Sequence, residues 1–123
     1  MIRSIALSAA VFATSLAATG AQAADTDITS DVRCMVVAAA MAQNTDPKVQ
    51  NAGLMAGLYY LGKLDGREPN LDLEARLKQE LAQMKPAEMV AEAQRCGAQL
   101  TARGKMVTEI GARLQAQGAG KAP

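Results

Sequence analysis

The stretch Ser30–Pro47, SDVRCMVVAAAMAQNTDP, decides how this chain folds. Val32, Met35, Val36 and Ala39 recur at i, i+3, i+4 and i+7, the spacing that lines up one face of a helix. Ser30 stands where its hydroxyl would accept from the first free N–H groups, and Asp31 suits the positive helix end. A helix is therefore predicted over Asp31–Gln43. Asn44-Thr45-Asp46-Pro47 then reads as a break and restart, with Asp46 as N-cap and Pro47 at the first helical position.

Working towards the C-terminus, a second helix is predicted from Pro47 to Asp65. Its face carries Val49, Ala52, Gly53, Ala56, Gly57, Tyr60 and Leu64; Gly66 follows as C-cap and Pro69 prevents continuation. A third opens at Asn70 or Asp72 and extends to Met84, with Leu73, Leu77 and Leu81 on one side. Glu74–Lys78 and Arg76–Glu80 form i, i+4 ion pairs on the other. Lys85-Pro86 ends it and starts a fourth helix that continues to Gln117. No segment alternates like a strand, and Leu, Met and Ala outnumber Val and Ile, which favours helix. The fold class expected is an all-α, four-helix domain.

Towards the N-terminus, Arg3, the apolar run Ile5–Ala18 and the ending Ala21-Gln22-Ala23 form the charge, core and cleavage pattern of a secretory signal. The run is shorter than the ~20 residues needed to span a bilayer. Residues 1–23 are therefore assigned to a signal peptide cut between Ala23 and Ala24, directing the protein to the periplasm or outside the cell. Residues 24–29 are expected to be a flexible lead-in, 30–117 the helical domain and 118–123 a disordered tail. No stable membrane insertion is expected after signal removal.

Without residues 1–23 the chain keeps 12 basic and 12 acidic side chains, and its only aromatics are Tyr59 and Tyr60. Of its 46 apolar residues 18 are Ala, so the core is thin for a domain that buries under about 70% of its unfolded surface. Such a domain needs a staple. Cys34 and Cys96 supply one in an oxidising compartment, joining the first and last helices. Closing a loop of about 62 residues is worth roughly 4 kcal/mol on the chain-entropy model. A redox-active pair is the rival reading, although redox motifs usually space their cysteines two residues apart.

The chain contains no His. That excludes Ser-His-Asp and Cys-His nucleophile pairs and any His-bearing zinc site. Two cysteines cannot complete a four-cysteine site. A balanced charge lacks the basic footprint nucleic acid demands. No enzyme activity, metal or cofactor is expected. Glu88 and Glu92 share a helical face, but at a helix start carboxylates more often complement the dipole.

Three constellations are candidates for interaction. Gly97, Gly104, Gly111 and Gly118 recur every seven residues in the fourth helix, a narrow stripe beside the ridge Leu100, Val107 and Leu114. This stripe either packs within the domain, bends the helix at Gly104, or offers a groove to a partner, including a second copy in a homodimer. Arg103 shares the line of Cys96 and Ile110 and either reaches solvent or meets a partner carboxylate. Gly53-Leu54-Met55-Ala56-Gly57 is a small-xxx-small stripe suited to close helix packing. Tyr59 to Arg67 gathers both tyrosines with Asp65 and Arg67. There Tyr59 is either an exposed anchor with polar neighbours or a half-buried ring beside a core Tyr60 and a capped turn.

The early Cys in an Ala/Met/Val-rich helix (Cys34–Ala42), the Tyr60-Leu61-Gly62-x-x-Asp65-Gly66-Arg67 turn, the Asn70-Leu71-Asp72 restart and Arg95-Cys96-Gly97 together resemble small two-cysteine exported proteins of alphaproteobacteria. In layout the chain is also distantly similar to HdeA-type periplasmic acid-stress chaperones and to the periplasmic immunity proteins of type VI secretion. Export, the staple, the missing catalytic inventory and the glycine stripe together point to a non-enzymatic protein whose partner is another protein. The constellations above supply Tyr59, Asp65, Arg67, Gly97, Arg103, Gly104 and Gly111 as candidate contact residues; none of these is carried over from the resemblance. An acid-stress chaperone is the alternative, because protonating the carboxylates would leave the exported chain strongly positive.

Overall fold

The computed structural model describes residues 19–119, with side chains over 27–118. It contains four helices: α1 (Thr19–Ala42), α2 (Pro47–Arg67), α3 (Leu73–Gln83) and α4 (Pro86–Ala119). No strand occurs among the described residues. A disulfide between Cys34 and Cys96, with Cα atoms 5.6 Å apart, joins α1 to α4. The all-α, disulfide-joined arrangement expected from the sequence is the one observed.

α1 is the hub, packed against each of the other three helices. Val32, Cys34, Val36, Val37 and Ala38 are all buried, so this helix is covered on several sides rather than along one stripe. Its closest neighbour is α2. At Gly53 a Cβ would lie 2.4 Å from the Ala42 backbone nitrogen and 2.8 Å from the Ala38 carbonyl oxygen. Only a residue without Cβ allows that approach. Below this crossing Ala56, Tyr60 and Leu64 continue the buried face of α2.

Buried carboxylates tie the helices together. Asp31 on α1 accepts from Lys63 Nζ on one oxygen and from Arg67 Nη1 at 2.7 Å on the other. Glu80 on α3 accepts from Arg33 Nε at 2.9 Å, and Arg76 Nη2 lies 4.0 Å from its other oxygen. Burying a carboxylate is costly unless it is paired, and each of these has cations from two positions. Through its hydrogen bond and its charge, Glu80 raises the pKa of Arg33.

Several expectations are corrected. α1 starts at Thr19 rather than Asp31, so the stretch 24–29 is helix and Ser30 is not its cap. Contacts from the rest of the fold reach this stretch: Arg76 Nη2 donates to Thr29 Oγ1 at 2.8 Å, and Arg67 lies 4.0 Å from Asp27. Ala23 and Ala24 fall within the same helix, while the signal assignment for residues 1–18 lies outside the described residues. α2 runs through Gly66 to Arg67, and Glu68 takes the C-cap position, its N–H bonding Leu64 O at 2.8 Å. No glycine has positive φ among the described residues, so Gly66 makes no left-handed cap. On α3 the side assigned to charge turns inward at Glu80, while Leu81 is exposed. The inward pull is Arg33, which no local pattern on α3 could announce. α4 extends to Ala119, into the expected tail, and residues 120–123 lie outside the description.

The start signals read from the sequence do operate where α2, α3 and α4 begin. Asp46 Oδ1 accepts from Lys48 N at 2.8 Å, Asp72 Oδ1 from Ala75 N at 3.0 Å, and Glu88 Oε2 from Lys85 N at 2.7 Å. No helix among the described residues is long and apolar enough to cross a membrane.

Candidate functional site

α4 is the unusual element. At 1.5 Å per residue it is about 50 Å long, yet Cys96 is its only buried residue among those described. Beyond Leu100 its side chains are exposed apart from partly covered Gly111. Gly97, Gly104, Gly111 and Gly118 have open space where a Cβ would sit. The stripe therefore makes no close helix contact within the domain, and α4 runs through Gly104 without interruption. Thr101 and Thr108 donate back to the carbonyls of Gly97 and Gly104 at 2.9 and 3.1 Å.

Where α4 leaves the body it faces α2 across a groove of about 550 Å³. Ala52, Met55, Ala56 and Tyr59 form one wall; Leu100, Arg103, Gly104, Met106 and Val107 form the other. Met55 is 70% exposed and Val107 69%, so large apolar side chains stand at the rim in water. Arg103 forms no ion pair among the described residues. The groove's chemistry is thus apolar, with one cation and no acid–base pair.

Tyr60 forms the inner support. It is fully buried, and its hydroxyl donates between Cys96 O at 3.1 Å and Gln99 Oε1 at 3.0 Å. Burial raises its pKa to about 12. Tyr59 packs edge-on against it with centroids 4.9 Å apart, and Lys63 Nζ lies 5.6 and 5.4 Å from the two ring centroids. Cation, rings and Asp31 thereby fix the wall that Tyr59 presents to the groove.

Of the candidate contact residues, the fold brings Tyr59, Arg103 and Gly104 together at the groove. Gly97 lines the neighbouring pocket with Cys34 and Cys96. Arg67 points back to Asp31, Asp65 is an exposed residue of α2 outside the groove, and Gly111 lies further along α4. Met55 and Met106 were missed by sequence reasoning. Met55 is four residues before Tyr59, and with Ala52 and Tyr59 it forms a second helical face beside the buried one. Cys34, Glu92 and Cys96 place metal-ligand atoms within 4.8 Å of one another, but both sulfurs are committed to the disulfide.

No family model, curated protein or solved structure matches this chain.

Proposed function

We propose that this chain is a small exported, non-enzymatic protein that binds another protein through the groove between α2 and α4. The observation that carries this reading is the exposed apolar rim around a groove of about 550 Å³ with Arg103 in its wall. A large exposed apolar patch on a small domain marks an interaction surface. The partner that fits is an amphipathic segment whose apolar residues enter between Met55 and Val107 and whose carboxylate meets Arg103. The signal-like pattern of residues 1–23 supports export to the periplasm or outside the cell, and the disulfide is compatible with either.

The test compares capture by the oxidised protein with capture by Gly104→Leu, which fills the groove, and Arg103→Glu, which reverses its charge. A partner retained by the parent and lost by both variants, with unchanged circular dichroism, supports the reading; identical capture by all three overturns it. Sedimentation velocity distinguishes a second copy as occupant, since self-association would then vanish in Gly104→Leu.

A second reading, acid-activated chaperoning, is favoured by the ion pairs at Asp31 and Glu80, which attach α2 and α3 to α1. Protonating the carboxylates removes these ties and leaves the 12 basic side chains of the exported portion unbalanced. Light scattering of an aggregating client at about pH 2–3, below the ordinary carboxylate range, decides this reading. Failure to suppress aggregation there excludes it.

A further inference from the structure

The disulfide at the root of α4 is electrostatically lopsided. Arg95 Nη2 lies 3.0 Å from Cys34 Sγ, and the same nitrogen is held by Ser30 O at 2.9 Å and Glu92 Oε2 at 2.6 Å. The guanidinium thus sits against Cys34 Sγ, while the Glu92 carboxylate is within 4.8 Å of both sulfurs and has its Oε2 4.0 Å from Cys96 Sγ. In thiol–disulfide exchange the departing sulfur leaves as thiolate, and the better-stabilised thiolate leaves faster. A neighbouring cation stabilises a thiolate; a neighbouring anion does the reverse.

Cys34 and Cys96 are only 1% and 3% exposed, so an incoming thiol would have to reach them through a pocket. A pocket of about 230 Å³ between α1, α2 and α4 is lined by both cysteines, with Ala93, Gly97 and Leu100 among its walls. On the α4 side Ala93 and Gly97 are the small members of that lining.

We propose that Cys34–Cys96 is an exchange site for a small thiol or dithiol, attacked at Cys96 and opened by departure of Cys34. The incoming thiolate bonds to Cys96 Sγ as the S–S bond breaks, and the electron pair leaves on Cys34 Sγ, where Arg95 holds it. With a dithiol, its second thiolate attacks its own sulfur in the mixed disulfide and expels the Cys96 thiolate. The dithiol ends as a disulfide, the protein has gained two electrons, and the protons given up by the dithiol pass to the protein sulfurs.

The opening releases α4. Cys96 is the only residue that helix buries among those described, and its other ties are few: Tyr60 to the Cys96 carbonyl at 3.1 Å and to Gln99 Oε1 at 3.0 Å, Arg95 to Ser30 O, Arg33 to Glu92 at 3.9 Å, and Leu100 packed against the Cys34–Tyr60–Cys96 cluster. α1 and α2 stay joined through Gly53 and Asp31, and α3 through Arg33–Glu80. The groove proposed as a binding site needs α4 as a wall, so reduction would abolish it; the exchange chemistry itself does not depend on that proposal.

The test mixes oxidised protein with excess reduced glutathione, quenches with acid, alkylates, and assigns each cysteine by mass spectrometry. Glutathione on Cys96 with alkylated Cys34 is expected. Arg95→Met should slow formation of this species severalfold at unchanged circular dichroism, and Arg95→Lys should restore most of the rate. An adduct on Cys34, equal labelling of both, reaction only at the rate of global unfolding, or indifference to Arg95→Met overturns the exchange site. Hydrogen exchange on fully reduced protein tests the release. Protection should be lost across α4 while α1, α2 and α3 keep theirs; loss in all four helices or in none overturns it.

Discussion

Gly53 and Gly57 are one helical turn apart on α2 and face opposite consequences of the same substitution. At Gly53 an added Cβ meets α1 backbone at 2.4–2.8 Å, atoms that no side-chain rotation can move. Gly53→Ala should force the helices apart and destabilise the fold by about 1–3 kcal/mol, the range for overpacking. At Gly57 nothing lies within 4 Å, so Gly57→Ala should stabilise by about 0.5–1 kcal/mol through helix propensity. Denaturant midpoints of the two variants, moving in opposite directions, check both. Tyr60 gives a pH signature. Burial raises its pKa from 10.0 to about 12, so the folded state holds the proton more tightly than the unfolded chain. The linked stability is fully present below pH 10 and is lost as pH rises towards about 12. Unfolding midpoints measured across that window should fall for the parent and fall less for Tyr60→Phe, which has no proton to lose.

The starts of α2, α3 and α4 were legible because their determinants are local, whereas that of α1, at Thr19, was not. Asp46 with Pro47, Asp72, and Pro86 with Glu88 each act within three residues of the position they set. The burial of Asp31 and Glu80 was not legible, because their partners lie far away in sequence: Lys63 is 32 residues from Asp31, and Glu80 is 47 from Arg33. Nothing in the spacing of α3 marks Glu80 as inward, and its leucines argued for the other face. The same gap explains the groove: Tyr59, Arg103 and Gly104 could each be singled out, but not the crossing of α2 and α4 that joins them. α3 depends on the pair that was missed. Glu80→Gln should cost about 2 kcal/mol, within the range for a hydrogen bond to a charged group. Because α3 is a short helix held chiefly to α1, amide exchange of this variant should show Leu73–Gln83 losing protection while α1 and α2 keep theirs.

At the scale of the molecule, stability is unevenly distributed. α1, α2 and α3 share buried side chains and ion pairs, whereas α4 beyond Leu100 stands with its side chains in water. Segments with few buried contacts open most readily, so limited proteolysis of the oxidised protein should cut first within 101–119. Filling the open space at Gly104 with Ala should delay that cut, since alanine favours helix by about 1 kcal/mol over glycine. The disulfide gives this pattern a further property. Cys34 and Cys96 are 62 residues apart, so the chain between them, all of α2 and α3 and the first part of α4 included, is a closed covalent ring from which α4 beyond Cys96 trails as a tail. A nick anywhere in the ring leaves every atom in one molecule until the disulfide is reduced. A nick in the tail sheds its fragment at once. The protein can therefore lose the far part of its exposed helix to a protease without losing its folded body, and gels run with and without reductant would tell the two kinds of cut apart.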